Sequence, residues 1–147
     1  ELYSFGRLRP YNPIIAGFVK EDVVNGTFAR FPNTRCVLYS LEISEMQYKK
    51  LKKELERFKK ESYKYGYNFL GLFTAMFNYP MKRKYNYFCS QFVSEILLNS
   101  GINIVNKPPE LTSPMDIKQY EALEFIFEGY LNIYTTEINN NYSMQLY

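Results

Sequence analysis

Residues 87–93 read YFCSQFV, an aromatic, strand-like run that turns into a helix at Cys89. Phe92, Val93, Ile96 and Leu97 follow the cysteine by three, four, seven and eight residues, so all five share one helix face, and Ser100-Gly101 supplies a stop. The spacing predicts an inward-looking Cys89 at the N-terminal end of that helix. Free N–H groups and aligned peptide dipoles at such an end favour a thiolate, and the same donors can hold the oxyanion formed when sulfur attacks a carbonyl. The competing reading is a buried structural cysteine, because free cysteine packs well as a small hydrophobe. None of the 147 residues is histidine, so the chain offers no imidazole to accept the thiol proton.

Upstream lies a basic loop, MKRKYNY (81–87), and before it YKYGYNFLGLF (63–73), a tyrosine-rich loop entering a short apolar helical segment. Lysine and arginine interleaved with tyrosine can stack on and neutralise single-stranded nucleic acid. This run is brief, and no nucleic-acid partner is expected. Further upstream, Ser44 and Gln47 have the spacing of a capping box, which opens a helix to about Glu61 with Tyr48, Leu51, Leu55 and Phe58 on one side. Its other side mixes seven Lys and Arg with Glu54, Glu56 and Glu61, a pattern of i,i+4 pairs on a solvated face. Contact with a membrane or nucleic acid is the alternative use of that basic side.

Cys36 to Ile43 alternates, Val37, Tyr39, Leu41 and Ile43 against Cys36, Leu38, Ser40 and Glu42, and reads as a strand. Leu2 to Arg7 reads as a strand ending at Gly6 and the RPYNP turn; Gly17 to Val24 is a second extended piece before an Asn25-Gly26 turn. Ser113 and Pro114 open a short helix, and ALEFIFEGYLNIY (122–134) reads as a hairpin about Glu128-Gly129, followed by a peripheral tail at 136–147. The expected fold is therefore α+β, a single domain with an antiparallel sheet of about five strands. The Cys89 helix and the amphipathic helix from Ser44 to Glu61 pack against that sheet.

A chain with 46% hydrophobic and 22% charged residues fits a globular domain rather than a disordered or disulfide-stapled peptide. A net charge of +3 is too mild to imply nucleic acid by itself. The longest apolar run, Phe69 to Phe77, is interrupted by Gly71 and Thr74 and is far short of a transmembrane span, so none is expected. Cys36 and Cys89 lie in segments of different character, which favours a reducing compartment such as the cytoplasm. The opening ELYSFGRLRP has neither a basic n-region nor an apolar h-region and reads like sequence from within a longer protein.

FCSQFVSEIL (88–97) resembles the Cys-Ser-x-Phe/Leu-Val block that carries the nucleophile in the NlpC/P60 papain-like superfamily. YGYNFLGLF (65–73) resembles the Tyr-Asp-Tyr-x-Gly-Leu element preceding it in the circularly permuted branch, with Asn68 in place of the usual Asp. LYSFGRLRPYNPIIAGFVKED (2–22) resembles the strand that follows a His-Val-Ser-Ile strand in that branch. The resemblance runs from Leu2 to about Tyr134. It implies a thiol hydrolase or acyltransferase in which Cys89 attacks an amide, ester or thioester carbonyl of a peptide, lipid or other acyl substrate. Tyr67 would support the oxyanion, and Ser4 occupies the imidazole-orienting position where relatives often have Glu or His. No metal or organic cofactor is implied. The histidine would sit on a strand just before Glu1, so the chain as it stands is expected to be inactive or nearly so. Other readings stay open: Tyr67 as a core tyrosine, Ser4 as an outward strand residue, Cys36 as a core residue, and the whole as a binding or scaffolding domain that has lost its base.

Overall fold

In a computed structural model, which describes residues 1–9, 12–23, 25–31 and 33–134, the chain is α+β. In chain order the elements are β1 (Leu2–Arg9), β2 (Asn12–Glu21), β3 (Arg35–Leu41), α1 (Glu45–Lys60), β4 (Gly66–Tyr67), α2 (Phe69–Ala75), β5 (Asn86–Tyr87), α3 (Cys89–Asn99), α4 (Pro114–Lys118) and β6 (Leu123–Tyr130). They fall into two compact units: Glu1–Leu2, Lys20–Leu41 and the stretch from Ala122; and Tyr3–Val19 with Glu42–Glu121. Pro10 and Tyr11 of the expected turn, and the expected tail, lie outside the described residues. Among the described residues no helix is long and apolar enough to cross a membrane.

The expected antiparallel sheet of about five strands is replaced by two smaller sheets. One is mixed, in the order β1-β2-β4-β5, with β2 and β4 antiparallel and β4 and β5 parallel. Parallel neighbours need a crossover, and here α2 and the basic loop carry the chain back so that β5 runs in the direction of β4. The other sheet is the antiparallel pair β3-β6. The expected hairpin at Glu128-Gly129 is corrected as well, because β6 runs straight through both residues. Gly129 lies opposite Cys36 and Glu128 opposite Val37, so both residues are used in the ladder rather than in a turn. The register jumps from Leu38–Phe127 to Tyr39–Phe125, which makes Ile126 the extra residue of a bulge. β1 likewise continues past Gly6 to Arg9.

The second unit holds an aromatic core of Phe5, Phe18, Phe58, Tyr65, Tyr87 and Phe92. Phe58, from α1, is fully buried, with ring centroids 4.5 Å from Tyr65, 5.0 Å from Phe92 and 5.5 Å from Tyr87. The first pair is stacked and the other two edge-on, and rings at such separations add about 0.5–1.5 kcal/mol per pair beyond the area they bury. α1 buries only its C-terminal part on this core, since Tyr48, expected in its apolar stripe, is 55% exposed. The capping box forms as its spacing predicts: Ser44 Oγ accepts from the Gln47 N–H at 3.3 Å while Gln47 Oε1 accepts from the Ser44 N–H at 2.9 Å. The outer face of α1 carries Lys49–Glu45, Arg57–Glu54 and Lys59–Glu56 pairs at 2.7, 2.8 and 2.7 Å, as on a solvated surface.

α3 ends as its sequence predicts. Gly101 takes φ +83°, a left-handed conformation costly for any residue with a Cβ, and the Ile102 N–H then reaches back to the Leu97 carbonyl at 2.9 Å. α4 opens on Ser113 and Pro114, also as read from the sequence.

Candidate active site

Two short parallel strands, each feeding a helix, build the site. Tyr67 and Tyr87 are register partners, and the Asn68 N–H donates to the Tyr87 carbonyl at 2.9 Å. The chain leaves β4 through Asn68 into α2, and leaves β5 through Phe88 into α3. Tyr67 and Cys89 are thereby brought together at the ends of adjacent strands.

The cap of α3 differs from those of its neighbours. Side chains of Ser44, Asn68 and Ser113 accept hydrogen bonds at the N-termini of α1, α2 and α4, whereas Phe88, extended at φ −103° and ψ 164°, provides no side-chain acceptor. The helix end that carries the cysteine therefore has first-turn N–H groups with no side chain bonded to them at the cap. Cys89 itself is exposed, which corrects the expected inward orientation. Cα–Cβ bonds tilt toward a helix N-terminus, so a first-turn side chain overhangs the end of the helix, while Phe92, one turn later, covers the core.

Tyr67 is half-buried, its ring 4.6 Å from that of Phe69. Burial, and secondly the charge of Cys89, push its phenol above the ordinary tyrosine range, so at neutral pH it is an O–H donor. Ser4 is a half-buried residue of β1 between Tyr3 and Phe5. The Phe5 ring lies 5.1 Å from Phe92 of α3, and strand alternation turns Ser4 to the other side of the sheet. The outward-strand reading of Ser4 fits that alternation. Asn68 is fully buried; its carboxamide accepts from the Gly71 N–H at 2.9 Å and donates to the Met81 carbonyl at 3.3 Å.

No family model, no curated protein and no solved structure matches this chain.

Polar groups that were not singled out in the sequence hold α3 in place from behind. Ser90 donates to the Thr112 carbonyl at 2.7 Å, and Thr112 Oγ1 to Ser94 Oγ at 3.2 Å, all three residues being buried. The Tyr87 hydroxyl donates to Glu95 Oε1 at 3.0 Å, and burial, followed by the charge of Glu95, pushes that phenol strongly upward. The Lys82 ammonium stands 3.5 Å from Glu95 Oε2 and 3.7 Å from Glu110 Oε1. Gln91 is fully buried and neither of its amide atoms has a hydrogen-bond partner. The signal available in the sequence is Gln91 and Glu95, long polar side chains four apart amid Phe92, Val93, Ile96 and Leu97.

Cys36 lies in the first unit, opposite Gly129 on β3, half-buried, and burial pushes its thiol up. It lines a cavity of about 830 Å³ together with Leu2, Phe28, Val37, Leu131 and Tyr134. Among the described residues no group of three or more His, Cys, Asp and Glu is arranged to hold a metal ion.

Proposed function

We propose that the chain is a thiol hydrolase or acyltransferase of papain-like type, with Cys89 as nucleophile toward an amide, ester or thioester of a peptide, lipid or other acyl compound. The observation that carries this reading is an exposed cysteine at the start of α3, where, unlike at α1, α2 and α4, no side chain caps the helix, next to a tyrosine held in its O–H form. Sulfur bonds to the carbonyl carbon, and negative charge moves to the carbonyl oxygen. The Cys89 N–H and the Tyr67 O–H stabilise that oxyanion. Collapse breaks the bond to the leaving group, which departs with a proton. Water then releases the acid in a hydrolase, or another nucleophile takes the acyl group in an acyltransferase.

The chain has no histidine, so a proton acceptor of imidazole type has to come from outside these 147 residues. For the chain alone, acylation without sustained turnover is therefore the expected behaviour. Intact-protein mass spectrometry after exposure to a 4-nitrophenyl ester tests this: one acyl adduct is expected, absent in Cys89→Ser. An adduct that survives Cys89→Ser, or none at all, overturns the reading.

The lack of histidine also favours a second reading, a binding or scaffolding domain that keeps the papain-like fold without the chemistry. It is supported if Cys89→Ser and the parent chain behave alike toward acyl donors.

A further inference from the structure

The apolar segment that opens at Phe69 is left outside the core. On a helix advancing about 100° per residue, Phe69, Leu70 and Phe73 lie on the side of α2 opposite Gly71, and Met76 and Phe77 follow in the turn that ends it, the Phe77 ring 5.3 Å from Phe73. Gly71 is buried, while those five side chains are 51, 50, 58, 78 and 71% exposed. The segment is capped at both ends. Asn68 caps the start of α2; at the other end Asn78 adopts φ 57°, and the Tyr79 N–H bonds back to the Thr74 carbonyl at 3.1 Å. Contiguous exposed apolar surface of this kind marks a protein or membrane contact rather than ordinary surface scatter.

Charge points to the occupant. From Ser62 to Ser94 the sequence has no Asp or Glu but four cations, Lys64, Lys82, Arg83 and Lys84. Lys82 is taken up by Glu95 and Glu110, and Lys64 by Glu61 at 2.9 Å, whereas Arg83 and Lys84, both exposed and following the apolar face in sequence, are in no carboxylate pair among the described residues, Lys84 standing 5.0 Å over the Tyr85 ring. An apolar helical face of Phe, Leu and Met, with exposed Tyr79 at its end and cations following, combines what a shallow interfacial anchor needs. The apolar side chains enter the acyl boundary, the tyrosine sits among headgroups, and the cations meet anionic lipid. A protein groove would account for the apolar face, but not for the two exposed cations, Arg83 and Lys84, that follow it in a stretch of sequence without Asp or Glu.

We infer that α2 and the loop through Lys84 dock the protein on the surface of an anionic phospholipid bilayer. The inference is independent of the chemistry proposed for Cys89, because neither the apolar face nor the cations include a reacting group.

Co-sedimentation of the 147-residue chain with vesicles of phosphatidylcholine containing phosphatidylserine, and with vesicles of phosphatidylcholine alone, tests it. Binding is expected to the first and much less to the second. It should be abolished by Phe73→Glu with Phe77→Glu and lowered roughly fivefold for each of Arg83→Gln and Lys84→Gln. Met76→Gln, a neutral polar change at a 78% exposed position, repeats the apolar test in a variant with little reason to misfold. Failure to bind anionic vesicles, or binding that survives both apolar variants, overturns the inference. So does a solution dimer that the apolar variants dissociate without any vesicle binding, which would assign the face to a second copy of the chain. Labelling at Cys89 reports on none of these outcomes, so the two proposals fail separately.

Discussion

The carboxamide of Asn68 lies directly against Gly71, accepting its N–H at 2.9 Å and occupying the space where any Cβ at position 71 would project. Glycine inside a helix usually costs about 1 kcal/mol relative to alanine, so Gly71→Ala would stabilise α2 if propensity decided. Packing decides instead. Asn68 is fully buried and bonded on both sides of its amide, so it cannot move aside. Overpacking of this kind costs about 1–3 kcal/mol. Gly71→Ala is expected to lower the urea midpoint, and Asn68→Ser, a shorter cap, should make the same alanine less harmful. A midpoint raised by Gly71→Ala would refute the account.

What could be read from the sequence here followed from local chemistry. The Ser44–Gln47 box, the Ser113-Pro114 start, the Gly101 stop and the start of α3 at Cys89 depend on residues within one turn of each other, and the structure has all four. Long-range pairing was less accessible. Glu128-Gly129 has the composition of a turn, yet its place opposite Val37 and Cys36 is set by a strand some ninety positions away, which no local rule sees. The outward position of Cys89 was missed because helical spacing fixes a face and not the overhang of a first-turn side chain. Tyr67 is pointed to by a resemblance alone, and the Tyr87–Glu95–Lys82 group has no local signature, being assembled from β5, α3 and a loop.

Asp116 provides a pH test of the short helix α4. Lys107 at 2.6 Å, then the Ser113 hydroxyl at 2.6 Å and the Ser113 N–H at 2.7 Å, hold its carboxyl down to about 2. An unfolded chain protonates the same group near about 3.9. A carboxyl depressed on folding contributes stability that is fully present above the unfolded value and is lost as pH falls through the folded one. Asp116→Asn keeps an acceptor for Ser113 and removes only the charge. Urea midpoints of parent and variant should therefore differ at pH 5 and converge near pH 2; a gap that persists at pH 2 would show that the charge is not what matters.

The two thiols are expected to react in order. Cys89 is exposed at a helix end, whereas Cys36 is half-buried and burial pushes its thiol upward, which lowers its thiolate fraction at neutral pH. With limiting iodoacetamide at pH 7, peptide mapping should find Cys89 modified first. Cys36→Ser should leave the fast phase intact and Cys89→Ser should remove it. Faster modification of Cys36 would contradict the burial given for β3.

Tyr67→Phe separates an oxyanion donor from a core tyrosine. The ring contact with Phe69 at 4.6 Å is kept in the variant, so the fold should hold, and only the O–H is lost. Acylation of Cys89 by a 4-nitrophenyl ester passes through a tetrahedral oxyanion, and loss of one donor to such a centre costs about 10²–10³-fold in rate. Alkylation by iodoacetamide displaces iodide without forming any oxyanion. The expected result is thus a large fall in the acylation rate beside an alkylation rate that is nearly unchanged. An equal fall in both would mean that Tyr67 acts through the state of the thiol, and no fall in either would return it to the core.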